Sequence, residues 1–218
     1  MVWASTNEVK LLTGLTESDI DADDLKSLIG IAQKEVLMQI NNKVVRESVQ
    51  YIDSTRQNEI DGSNKTYYIK NWKGNFLSDY NYDFSVDTSD ITMYSVDGSG
   101  TETEVAITSV TYDEGKIVVT TAQENVELYI TYVYTYFNPV TPDPLLKLAT
   151  EYLAGAYTYM RINSSQKKQV KFGNVTITNG IGKDSAYSFL FNKYMDIIRQ
   201  LNENTGRGAI WGQAKVLI

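Results

Sequence analysis

The chain has 218 residues, 42% apolar and 22% charged, with a formal charge of −7, which places it among globular rather than disordered proteins. It contains no cysteine and no histidine, so disulfides, thiolate nucleophiles, thiolate metal sites, Ser-His and Cys-His pairs and the commonest metal ligand are all excluded. Catalysis would have to rest on carboxylates, Lys, Tyr or Ser alone, and the sequence reads as that of a non-enzyme with no cofactor and no metal.

The charge is uneven. Residues 1–50 carry −3, residues 51–140 carry −9 and residues 141–218 carry +5, so an acidic middle and a basic end imply two surfaces with different tasks. No apolar run approaches the roughly 18 residues needed to span a bilayer. The opening MVWASTNEVK has no basic region followed by a long apolar stretch, so synthesis inside the cell is expected.

In chain order, STNE sets a capping box, with Ser5 as cap and Glu8 reaching back. Val9, Leu11 and Leu12 supply apolar contacts, and Gly14 ends the short helix. After the polar TESDIDADD, a longer helix carries Leu25, Leu28, Ile29, Ala32, Val36 and Ile40 at helical spacing. From about Tyr51 the pattern becomes β. DGSN, DGSG and DEGK mark turns, and TYYI, ITMYSV, EVAITSVTY and KIVVTT are short runs of β-branched and aromatic residues. In VELYITYVYTY, Val126, Leu128, Ile130, Tyr132, Tyr134 and Tyr136 are expected on one buried face. Ten of the sixteen tyrosines fall between 67 and 136.

The helical pattern then returns. Asp143 caps and Pro144 opens a helix with Leu145, Leu148, Ala149, Tyr152, Leu153, Ala156 and Met160 as its stripe. QVKFGNVTIT reads as a hairpin over 168–178, turning on Gly173-Asn174. A last long helix from near Asp184 lays Tyr187, Leu190, Phe191, Tyr194, Ile198 and Leu201 on one side. The expected fold is therefore α+β: a helical bundle from 1–48 and 139–205, an inserted antiparallel sandwich or barrel-like domain over 49–138, and an extended tail over 206–218.

Four features invite a binding role. Asp19, Asp21 and Asp23 have the spacing that opens an EF-hand loop, but Asp24 replaces its glycine and Gly30 its glutamate, so an acidic helix start is the better reading. Asp79, Asp83, Asp87 and Asp90 crowd one loop, read as a solvated loop before a calcium site. The tyrosines suggest a glycan platform only if Tyr129, Tyr67 or Tyr68 faces outward. Lys167, Lys168 and Lys171 make the hairpin basic, without the aromatic interleaving of single-strand binders.

The opening EVKLLTGLTESDIDADDLKSLIGIAQKEVLMQI, and later PDPLLKLATEYLAGAYTYMRI, VKFGNVTIT, a last long helix and a tail, resemble in this order the head–tail connector (adaptor) proteins of tailed phages and related viruses. The β unit at 51–138 departs from the shortest members of that family. The resemblance implies a structural virion protein made in the host cytoplasm, with no membrane. It forms a ring, commonly twelvefold, on the portal, extends a channel that DNA crosses without specific binding, and links to the next neck or tail protein. It makes Gly206, Gly208 and Gly212 the hinge of a tail whose Trp211, Val216, Leu217 and Ile218 anchor in the portal or a neighbouring subunit. The basic hairpin would meet an acidic partner. The alternative is a Tyr-rich β module recognising a glycan or host surface, mounted on the helices.

Overall fold

The computed structural model describes residues 2–50, 58–71, 73–165, 170–172, 175–177 and 185–204, giving only the backbone for 163–165, 170–172, 175–177, 185 and 204. The fold is α+β. Contacts divide the chain into two compact units: Ile40–Pro142, which is β, and Val2–Gln39 together with the chain from Asp143, which is helical.

In the helical unit, α1 is Thr6–Thr13. The Glu8 N–H donates to Ser5 Oγ at 3.3 Å, and Glu8 Oε2 accepts from the Ser5 N–H at 2.8 Å, so two end groups are satisfied reciprocally. Gly14 closes the helix at φ 71°, a left-handed cap that a side chain would strain. The second helix, α2, is Ala22–Ile40, and Asp21 Oδ1 accepts from the Asp23 N–H at its start. Next, α3 is Pro144–Ser165, opened by Asp143 Oδ1 accepting from the Leu145 N–H. The last, α4, is Ser185–Asn204.

Helix α3 packs against both α1 and α4. Its buried face runs through Leu146, Ala149, Leu153, Ala156, Tyr159 and Ile162. Gly155 sits where a Cβ would lie 2.7 Å from Thr13 Cγ2 and 3.3 Å from Leu190 Cδ1, so three helices meet at a residue with no side chain. The Tyr159 hydroxyl donates to the Thr13 carbonyl at 2.8 Å. Tyr157 donates to Glu35, and Arg161 pairs with Asp24 at 2.6 Å, both linking α3 to α2.

Two expected core residues are outside. Leu11 is 84% exposed, because Val9 and Thr13, one turn apart, take the covered side of the short α1. Met160 is 53% exposed, because Tyr159 fills the inward position instead.

Lys147 of α3 pairs with Glu8 of α1. That bond, with the Ser5 groups, holds the Glu8 carboxyl down at about 2, against an ordinary 4.5. A depressed carboxyl adds stability above the unfolded value and loses it as pH falls through the folded one. The wild-type helical unit is therefore expected to lose stability between about pH 4.5 and 2. Glu8→Gln should flatten that segment of an acid titration followed by circular dichroism; an unchanged slope would rule the pair out as its source. Glu151 leans the other way, raised by burial first and then by the Glu8 charge.

In the β unit the strands are β1 (Asn42–Ser48), β2 (Thr66–Tyr68), β3 (Phe76–Leu77), β4 (Thr92–Val96), β5 (Glu102–Glu104), β6 (Ile107–Thr111), β7 (Lys116–Val119) and β8 (Glu127–Thr135). One sheet has the order β1-β8-β4-β5, with β3 also on β8; a second has β2-β7-β6. All the pairings are antiparallel. The sheets do not close into a barrel. Both feed one core that includes Tyr67, Met93, Ile117, Leu128, Ile130 and Tyr132.

The unit starts earlier than residue 49, since β1 pairs with β8 over Asn42–Ser48 and Val44 packs on this core. Alternation along β8 holds through Leu128, Ile130 and Tyr132. Beyond them Val133 and Thr135 are buried as well, Tyr134 is partly buried, and Tyr136 is 37% exposed rather than inside. At that end of the strand both faces are covered, so period two no longer sorts residues into wet and dry. Strands β9 (Val170–Phe172) and β10 (Val175–Ile177) pair antiparallel as a separate hairpin.

Candidate functional site

The tail residues Gly206, Gly208, Trp211, Gly212, Val216, Leu217 and Ile218 lie outside the described residues, as do Lys167 and Lys168. Of Lys171 only the backbone is described, in β9.

The acidic loop is built to hold itself. Asp79 and Asp90 are 2% and 3% exposed. Asp79 Oδ2 accepts from the Phe84 N–H at 2.7 Å and Oδ1 from the Asp83 N–H at 3.2 Å. Asp90 Oδ1 accepts from the Tyr80 N–H at 2.7 Å and Oδ2 from the Asp87 N–H at 2.8 Å. Burial raises both carboxyls, and these N–H groups pull them part of the way back. Asp87 serves as the cap of the 3-10 turn Thr88–Asp90. These carboxylates act as loop staples, replacing ladder bonds that an irregular segment lacks. Among the described residues no three carboxylates are grouped to hold a metal ion.

The tyrosines divide. Tyr67 is buried at 1% exposure. Tyr129 is half-buried on the other side of β8 from the core, its hydroxyl donating to Glu127 Oε2 at 2.6 Å and its ring lying 5.1 Å from the Arg46 guanidinium. Tyr94 of β4 is its cross-strand neighbour on that outward face.

Sequence reading did not locate an open cleft that the fold of the β unit forms. A cleft of about 880 Å³ in the β unit is lined by Glu59, Asp61, Asp97 and Glu127, with Ile60, Val96 and Val126 as its apolar part. Among the described residues no Lys or Arg lines it. Two Asp-Gly turns shape it. Asp61 Oδ1 accepts from the Ser63 and Asn64 N–H groups at 2.9 and 2.8 Å, and Asp97 Oδ1 from the Ser99 and Thr101 N–H groups, both at 2.9 Å. These bonds lower both carboxyls, led by the Asn64 N–H for Asp61 and by the Ser99 hydroxyl for Asp97, so both aspartates are charged at neutral pH. Gly62 and Gly100 take φ of 78° and 84° in the same turns.

Asn58 fixes one wall. It is 6% exposed, donates from Nδ2 to the Val49 and Tyr68 carbonyls at 2.8 Å each, and accepts the Tyr68 N–H at 2.8 Å. Both Asp-Gly turns are visible in the sequence. Their adjacency is not, because it follows from the pairing of Val96 with Glu127 and of Asp61 with Glu124.

Neither the protein-family models nor the curated proteins searched with this chain give a match. Its reading therefore rests on its own chemistry. The cleft can attract a cation and cover a short alkyl stem.

On the helical unit, Leu11, Ile31, Met38, Met160 and Phe189 are exposed at 84, 49, 53, 53 and 48%. Ile31 and Met38 are seven residues apart on α2 and share one face. No helix among the described residues is long and apolar enough to cross a membrane.

Proposed function

We propose that this chain is a head–tail connector subunit of a virion: a structural protein that assembles as a ring on the portal, extends the DNA channel and links the capsid to the next neck or tail component. The observation that carries the reading is the helical unit itself. It is made from both ends of the chain, is interrupted by the β unit, and shows large apolar side chains such as Leu11, Ile31 and Met38 on its surface. Side chains of that kind, exposed in one subunit, suit burial in an assembly. The absence of Cys and His from the sequence fits a structural role as well.

On this reading the tail is the portal anchor. Trp211, Val216, Leu217 and Ile218 each contribute roughly 1.5–3 kcal/mol on burial, less the ordering of a segment hinged at Gly206, Gly208 and Gly212. One tail binds weakly, and a ring presents many at once, commonly twelve, so avidity holds the joint. The virion neck is then its site of action, with DNA crossing the ring without specific contacts.

The test is coexpression with a portal protein from the same genome, viewed by electron microscopy, for the full chain and for a chain ending at Thr205. Rings that form on the portal and vanish on truncation are expected. Rings that survive truncation remove the anchoring role of the tail. No association in either form removes the connector reading. The outward Tyr94–Tyr129 pair would then make a glycan screen the next measurement.

A further inference from the structure

We propose that the acidic cleft of the β unit is the receptor for the basic segment 163–183 of a second copy of this chain, so that subunits join head to tail. The proposal rests on the ring reading above. The cleft and the segment are matched in three respects.

The first is charge. Four carboxylates, Glu59, Asp61, Asp97 and Glu127, line the cleft with no cation among the described lining residues. Segment 163–183 carries Lys167, Lys168, Lys171 and Lys183 and no Asp or Glu, whereas the chain between Lys73 and Lys116, which supplies Asp97 to the cleft, has acidic residues and no Lys or Arg. The same contrast holds at larger scale, with −9 over 51–140 against +5 over 141–218. Opposite patches of this kind steer encounter and fix register.

The second is shape. A carboxylate cluster on a flat surface holds nothing in place, but this one surrounds a concavity of about 880 Å³ with Ile60 and Val126 in its lining. Lysine is the side chain suited to such a place, with an alkyl stem that covers apolar surface and a charged head that reaches the rim. The volume leaves room for more than a single side chain, as a chain segment needs.

The third is preorganisation. Asp61 and Asp97 are fixed by bonds within their own turns, and Asn58 fixes the wall that carries Glu59. The negative field is therefore in place before any partner arrives, and little ordering is needed on the receptor side.

A contact between two different patches of one chain is heterologous, and it closes into a ring when the rotation per subunit allows. Each subunit would then give its lysine segment to one neighbour and its cleft to the other.

Sedimentation velocity of the full-length chain over a concentration series, at about 0.05 M and about 1 M salt, tests this, since exposed charges are screened within roughly 3 Å at the higher value. Glu59→Lys with Glu127→Lys cancels the charge of the lining, two lysines against the two turn aspartates left intact. Lys167→Glu with Lys168→Glu cancels the charge of the segment, two glutamates against Lys171 and Lys183. Circular dichroism checks that both variants fold. Each variant alone is expected to self-associate at least about tenfold more weakly than wild type at low salt, which is about 1.4 kcal/mol. Mixing the two should restore association between pairs, because the unaltered cleft of the segment variant then meets the unaltered lysine segment of the cleft variant.

Wild type that stays monomeric at every concentration at low salt overturns the proposal. So does association insensitive to both pairs of substitutions, or a mixture that fails to recover. The same variants on the portal separate the two ideas. Portal rings indifferent to both pairs of substitutions would end this inference and leave the connector reading standing, whereas failure of the wild type to assemble on the portal ends the reading beneath it.

Discussion

Replacing Leu190 with alanine is expected to destabilise the helical unit by about 4 kcal/mol, in the upper part of the range for buried leucines. Leu190 is fully buried on α4 and belongs to the cluster of Leu15, Ala156, Tyr159, Ile162 and Ala186. The cost of such a change depends on how far the surroundings can collapse into the space left. Here they can do little. The residues facing Leu190 include Gly155, only 3.3 Å from Leu190 Cδ1 at its Cβ position, and Ala156, neither of which has a side chain able to swing inward. Tyr159 is long enough, but its hydroxyl is tied to the Thr13 carbonyl.

With a urea slope of about 2–3 kcal/mol per molar for a chain of this size, the midpoint of the helical transition should fall by about 1.5 M. Met160→Ala on the neighbouring helix is the control. Its side chain is 53% exposed, and the change should stay within about 0.5 kcal/mol. A Leu190 variant as mild as the Met160 one would mean that these three helices do not meet as described.

What could be read from the sequence was local. Ser5 with Glu8, Asp143 before Pro144, and the Asp-Gly turns each act within four residues, and each forms as their spacing implies. The stripes of α2 and α4 were legible too, because burial on one side leaves a period of 3.6 in the chain. Reading failed where burial depends on what lies opposite. Leu11 and Met160 fit a helical stripe and are exposed, and Tyr136 fits the alternation of β8 and lies outside the core. Nothing near Glu8 in sequence announces Lys147, 139 residues away. The cleft was hidden for the same reason. Its carboxylates come from Glu59, Asp61, Asp97 and Glu127, and only antiparallel pairing brings those stretches together. The tail and basic hairpin, by contrast, owe their interest to composition alone, which is why the sequence could nominate them without placing them.

Asn58→Ala is expected to cost about 2–3 kcal/mol, and Asn58→Asp more than that at neutral pH. The side-chain amide of Asn58 behaves as a spare peptide group. It accepts the Tyr68 N–H and donates to the carbonyls of Tyr68 and Val49, all at 2.8 Å, in a site 6% exposed. Alanine leaves one donor and two acceptors without these partners, and burial makes that loss larger than the net worth of the bonds themselves. Aspartate keeps the shape but replaces the donating nitrogen with an oxygen that confronts two carbonyl oxygens. A carboxyl in that position is favoured when protonated, so its folded value rises above the unfolded one. Stability tied to a raised carboxyl is present below the unfolded value and is lost as pH rises through the folded one. The aspartate variant should therefore recover part of its deficit as pH falls, while the alanine variant should not. Urea unfolding of the three proteins at neutral and mildly acidic pH separates these behaviours. Equal stability of wild type and the aspartate variant at neutral pH would show that the amide does not bridge Val49 and Tyr68. Because the same three bonds hold the wall bearing Glu59 and Asp61, such a result would also remove the physical basis for a preformed acidic cleft.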